Sequence, residues 1–131
     1  MSGTYADLEV WKLSMHLAVR IYQLTRRFPR EEAYGLTSQV RRAAVSVASN
    51  IAEGKGRASD RELTQFLCHS RGSLFELETQ LGIAQELGYG QETEYSELRK
   101  SASAIGRMLN GLIRSLTPSD RSSGANLRQP K

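Results

Sequence analysis

The side chains in this chain that could do covalent or metal chemistry are few. It has one cysteine, Cys68, and two histidines, His16 and His69. Cys68 and His69 are neighbours in a stretch of helical period, so their side chains diverge by about 100° and cannot form a nucleophile–base dyad. Neither histidine has a second ligand at helical spacing, and zinc sites are built from such spacings. Glu76 and Glu78 also diverge, and Glu53 stands at the expected end of a helix, so no pair of carboxylates can share acid and base roles. A phosphate loop needs a glycine-rich turn before a helix, closing on Lys and Ser or Thr after a strand. "EGKGRASD", residues 53–60, comes after a helical run instead, and Asp60 would compete with a bound anion. The residues therefore predict no enzyme, no metal and no cofactor.

The abundant functional side chains are cations. Residues 1–58 carry nine Lys and Arg against five Asp and Glu, residues 59–117 carry six against eight, and residues 118–131 carry three against one. A basic first half facing a mildly acidic second half suits an anionic partner, or complementary faces that meet on assembly. The candidates for phosphate contacts are Lys12, Arg20, Arg26, Arg27, Arg30, Arg41, Arg42, Lys55 and Arg57. They would position a nucleic acid rather than read its bases. A solvated basic face, or pairing with the acidic half, is the plainer reading of each one singly.

The elements that must carry these residues are helices. No long period-two stretch and no Asn-Gly or Asp-Gly hairpin occurs. A first helix is expected from Leu8 to Phe28, with Leu8, Trp11, Met15, Ala18, Tyr22 and Thr25 as its core row and Pro29 as its stop. Beside that row runs a second, Leu13, Leu17, Ile21, Leu24 and Phe28. One bundle helix buries one stripe, so this surplus row predicts self-association. A second helix is expected from Leu36–Thr37 to Glu53, capped by Thr37 or Ser38 and closed by a left-handed Gly54. Its rows are Leu36, Val40, Ala43, Val47 and Ile51 for the core and Ala44, Ala48 and Ala52 for close packing. Arg42, Ser46, Ser49 and Glu53 form a polar row.

A third helix opens on Ser59-Asp60-Arg61-Glu62, a capping box in sequence form. It runs along Leu63, Leu67, Ser70, Leu74, Leu77, Leu81 and Ala84 to Gly88. The fourth runs from Glu92 to Leu116 on Tyr95, Leu98, Ala102, Ile105, Leu109, Leu112 and Leu116, and Thr117-Pro118 ends it. Short loops between four helices give an all-α, up-down-up-down bundle over residues 1–117, with a disordered polar tail at 118–131. The third helix outreaches the second by roughly 16 Å at 1.5 Å per residue, which also leaves surface for a neighbour. Arg71 is expected to pair with Glu53 or Glu76 as a structural ion pair. No apolar run reaches the roughly 18 residues of a membrane span. The first residues lack a secretory layout, and with a single cysteine this points to the cytoplasm.

Several motifs in order resemble a known family. They are Leu8-Glu9-Val10-Trp11, Phe28-Pro29 through Tyr34-Gly35-Leu36, Gln39 to Arg42, Ser49 through Gly54, and Arg71-Gly72-Ser73 with Glu76-Leu77. Across residues 5–117 the chain is similar to the bacterial four-helix-bundle proteins encoded by intervening sequences of ribosomal RNA genes. That family in turn resembles the accessory variability protein of diversity-generating retroelements. The resemblance implies a four-helix protomer assembled into a five-membered, barrel-like ring with a basic surface. From the retroelement relatives it implies nucleic acid and a reverse transcriptase as partners. Lys55 stands where an apolar or aromatic residue is common in the family, adding one more cation.

Two functions are expected from these features. One is a non-enzymatic oligomeric accessory protein that binds RNA or DNA without strong sequence preference. The other is an oligomeric scaffold for protein partners that touches no nucleic acid. In either, Leu13, Leu17, Ile21, Leu24, Ala44 and Ala48 are the expected contacts between copies.

Overall fold

The computed structural model describes residues 8–117, so the tail expected at 118–131 lies outside the described residues. It holds four helices and, among the described residues, no strand. They are α1 (Glu9–Thr25), α2 (Leu36–Lys55), α3 (Asp60–Glu86) and α4 (Glu92–Ser115), with a single 3₁₀ turn at Arg30–Glu32 before α2. Each helix packs on the next and α1 also packs on α4, while the backbones of the diagonal pairs stand farther apart. The arrangement is the expected four-helix bundle.

The helix ends show which local signals operate. The hydroxyl of Ser59 accepts the amide of Glu62 at 3.2 Å, as the capping box predicts. Gly88 takes φ +80°, and the amide of Tyr89 reaches back to the carbonyl of Ala84 at 3.0 Å, closing α3 as expected. At α4 the carboxylate of Glu94 accepts the amide of Gln91 at 2.9 Å.

Two caps differ from expectation. Neither Thr37 nor Ser38 caps α2. Gly35 occupies the cap position, and Glu32 Oε1 accepts the free amide of Leu36 at 3.0 Å. Gly54 lies inside α2, which continues to Lys55 and ends on Gly56. Its small size serves packing instead, because a Cβ there would stand 2.7 Å from Phe66 Cβ and 3.0 Å from Leu63 Cδ1. α1 also ends three residues early, where Thr25 turns its hydroxyl onto the carbonyl of Ile21 at 2.8 Å and the chain tightens into i→i−3 bonds.

The core confirms the rows of α2, α3 and α4 and corrects that of α1. Val40, Ala43, Val47 and Ile51 meet Leu67, Leu74, Leu77, Leu81 and Ala84, with Tyr95, Leu98, Ala102, Ile105 and Leu109 from α4. From α1 the buried residues are Val10, Ser14, Leu17, Ile21, Leu24 and Thr25, with Phe28 just beyond. Leu17, Ile21 and Leu24, expected between copies, therefore fill the protomer's own core, and Leu13 packs half-buried against it. Ala44 and Ala48, expected at the same interface, are also buried in the protomer, at 1% and 5% exposure. Of the row expected inside, Thr25 is buried and Leu8, Trp11 and Ala18 are half-buried against the core, whereas Met15 is 44% exposed and Tyr22 41%, with Val19 beside them at 51%.

Candidate nucleic-acid interface

The structure does not gather the nine candidate cations on one face. α1 turns Arg20 and Arg27 toward α4. Arg27 forms an ion pair with Glu94, and Arg20 borders a shallow cavity with Gln23, Leu24, Glu94 and Leu98. Arg57 pairs with Glu53 at 2.6 Å one helical turn away, and its guanidinium lies 4.8 Å above the ring of Phe66. These pairs join the basic half to carboxylates of the protomer, and the exposed ones contribute little stability because water screens them.

Arg41 points the other way. Its Nε donates to Thr25 Oγ1 at 2.8 Å and its guanidinium lies 4.5 Å from the centre of the Tyr22 ring. These contacts show which side of α2 faces α1. Val45, one turn beyond Arg41, is on that side and 41% exposed. On α1, Lys12, Val19 and Arg26 are seven residues apart and so share an edge. All three are exposed, and Trp11, Lys12, Met15, His16 and Val19 line an open cavity of about 300 Å³. The outer face of α1 and α2 is thus apolar and aromatic along its middle, with Lys12, Arg26 and Arg41 interleaved. Arg30 is exposed in the 3₁₀ turn at one end, and Lys55 is half-buried near the end of α2. Arg42 faces away, into the seam between α2 and α3.

The expected ion pairs of Arg71 do not form. Its Nη1 donates to Asn110 Oδ1 at 2.9 Å, and its Nη2 lies 3.9 Å from Cys68 Sγ. Arg71 leans toward α4, whereas Glu53 takes Arg57 and Glu76 accepts Nε2 of Gln80 at 3.3 Å. Asn110 gave no signal in the sequence, because its role depends on the register between α3 and α4.

Near the turn before α2, Glu32 links two segments, accepting the Tyr89 hydroxyl at 3.0 Å as well as the Leu36 amide. That hydrogen bond to a carboxylate holds the Tyr89 phenol above its ordinary pKa. Burial pushes Tyr95 up to about 12, and its hydroxyl donates to the backbone carbonyl of Tyr89. Among the described residues no cluster of His, Cys, Asp and Glu could hold a metal ion, and no helix is long and apolar enough to cross a membrane.

No curated relative matches this chain. A solved structure does: a protein of unknown function from the S23 ribosomal protein family of Bacteroides thetaiotaomicron VPI-5482. It superposes with a TM-score of 0.72 at 21% identity, covering 79% of this chain and 97% of that one. At that identity the likeness shows the fold. Residues 6–111 match the 23S rRNA-intervening sequence protein family, and the chain belongs to it.

Proposed function

We propose that this protein is a non-enzymatic, homo-oligomeric accessory protein that binds RNA or DNA through phosphate contacts with little sequence preference. The observation that carries the proposal is a set of exposed cations, Lys12, Arg26 and Arg30, that form no ion pair among the described residues. Lys12 and Arg26 border the uncovered apolar row of α1, which supports assembly on that row. Assembly repeats a small basic patch, and repetition turns a weak contact into a useful affinity. The five-membered ring, and a reverse transcriptase as partner, come from the family resemblance and are part of the proposal.

The test is binding to a panel of RNA and DNA across salt, with oligomer of measured mass. Each phosphate neutralised contributes about 0.9 to the slope of log affinity against log salt on duplex DNA. An assembly contacting about five phosphates loses roughly 10²–10³-fold in affinity between 50 and 200 mM salt. Changing Lys12, Arg26 and Arg30 together to Glu should weaken every sequence alike and flatten the slope, with helix content intact. No binding at about 50 mM salt rejects the proposal.

The second reading is a scaffold for protein partners. Arg27–Glu94 and Arg57–Glu53, which occupy two of the nine cations within the protomer, favour it. So do Phe75, Ile83 and Leu87, exposed along α3 and the turn after it.

A further inference from the structure

Between α2 and α3 lies a cleft of about 390 Å³ lined by Gln39, Arg42, Ala43, Ser46 and Glu76. Its floor is low because Ala43 is small and buried. One end is fixed by the hydroxyls of Ser46 and Ser73, 2.7 Å apart, and by Nδ2 of Asn50, which donates to the Ser46 hydroxyl at 2.9 Å. Ser70 donates to the carbonyl of Val47 at 2.7 Å, so the antiparallel register is set at this point. One turn on, that register brings Arg42 level with Glu76, and a further turn brings Gln39 level with Gln80.

The polar groups of the cleft are not matched to one another. Arg42 and Glu76 are both exposed and form no ion pair together. Gln80 is 6% exposed and donates Nε2 to Glu76, while its Oε1 is buried with no hydrogen-bond partner. That oxygen is closed off from solvent and Gln80 is not among the residues lining the cleft, so a ligand there would meet Glu76 and Arg42. The cleft thus presents a carboxylate that can accept further N–H groups and a guanidinium with no ion-pair partner among the described residues.

Among nucleic-acid bases guanine answers both at once. Its N1–H and N2–H are adjacent and suit a carboxylate, and its O6 and N7 suit a guanidinium. Uracil offers Glu76 a single N–H flanked by two carbonyls, and adenine and cytosine offer one amino group beside a ring acceptor. The cleft is ample for one base, and a free Watson–Crick edge requires an unpaired strand. We propose that this cleft reads a guanine of single-stranded nucleic acid, with Glu76 accepting from N1–H and N2–H and Arg42 donating to O6 and N7. The proposal rests on the nucleic-acid reading and adds one base preference to otherwise sequence-tolerant phosphate contacts.

The experiment compares U-rich RNA decamers carrying one central G, A, C or U, bound to the full-length oligomer. The G decamer should bind roughly tenfold to a hundredfold tighter than the others. Inosine at that position removes the second donor for Glu76, and 7-deazaguanosine removes one acceptor for Arg42, so each should lose part of the preference. Glu76→Gln and Arg42→Lys should each reduce the preference, with helix content unchanged because both side chains are exposed. Equal affinity for all four decamers overturns the base site and leaves phosphate binding standing. A preference for G that survives both substitutions also overturns it, as does loss of oligomer mass in either variant, which would make the cleft a seat for another copy. Failure to bind any decamer rejects the nucleic-acid reading and the base site together.

Discussion

Gly54 and Phe66 hold α2 and α3 at a separation that admits no methyl group between them: a Cβ on Gly54 would stand 2.7 Å from Phe66 Cβ. Leu63 closes the other side, with its Cδ1 at 3.0 Å and its carbonyl oxygen at 3.3 Å. Gly54→Ala gains helix propensity but must push backbone and Cβ atoms apart, so overpacking wins. The expected cost is about 1–3 kcal/mol. Gly72 on α3 is the control, because a Cβ there meets nothing within 4 Å. Gly72→Ala should stabilise by about 0.5–1 kcal/mol through backbone entropy. Thermal unfolding of the two variants checks both signs, and a Gly54→Ala protein as stable as the parent would show that the helices separate freely.

The exposed row of α1 makes a second prediction, about mass. Val19→Asp and Met15→Asp replace side chains that are 51% and 44% exposed, so they should leave the protomer folded. If this face joins copies, light scattering should show smaller species with unchanged dichroism. Leu17→Asp and Ile21→Asp instead place a charge where exposure is 1% and 0%, and should unfold the protomer. An unchanged mass for Val19→Asp would remove α1 from the interface.

The contrast between these two rows shows what was legible in the sequence. In α2, α3 and α4 only one face is rich in large apolar residues, so period alone selected the core. α1 has two apolar rows about 100° apart, and Trp11, Met15 and Tyr22 look as suited to a core as Leu17, Ile21 and Leu24. The buried row also contains Ser14, whose hydroxyl is satisfied by the carbonyl of Val10 at 2.8 Å. A serine satisfied by its own helix reads in the sequence as a polar interruption. The cations were legible as a set, but their division was not. Arg27 and Arg41 face opposite neighbours, and only the packing of α1 between α4 and α2 decides that. The cleft of Arg42 and Glu76 was hidden for the same reason: its two sides lie 34 positions apart, and the register set at Ser46 and Ser73 brings them together.

The energy expected of Arg71 depends on which partner it holds. A buried ion pair with Glu53 or Glu76 would make Arg71→Ala cost roughly 3–5 kcal/mol. The observed partner is the amide oxygen of an exposed asparagine on α4, at 2.9 Å. The expected cost of Arg71→Ala is therefore below about 1 kcal/mol, with Asn110→Ala costing a similar amount. The double variant should cost no more than the sum of the two. Denaturant unfolding of the three proteins measures this, and a loss of several kcal/mol from Arg71→Ala alone would restore a structural role for the guanidinium.

The last prediction concerns alkaline pH. Tyr95 is 1% exposed, and burial pushes its phenol up to about 12, while an unfolded tyrosine ionises near 10. Between those values the folded protein keeps a proton that the unfolded chain has released. The unfolded state then binds fewer protons, so stability falls as pH rises. The contribution is complete below about pH 10 and is lost between about 10 and 12, on the order of 2 kcal/mol. Tyr89 drifts in the same direction through its bond to Glu32, so the parent alone cannot isolate Tyr95. Tyr95→Phe can. It should be less stable at neutral pH by about 1 kcal/mol, because the hydroxyl no longer reaches the carbonyl of Tyr89. Its stability should then decline less steeply above about pH 10 than the parent's. Denaturant unfolding of both proteins from about pH 9 to 12 measures the difference, and a parallel decline would show that the Tyr95 phenol is not held neutral by the core.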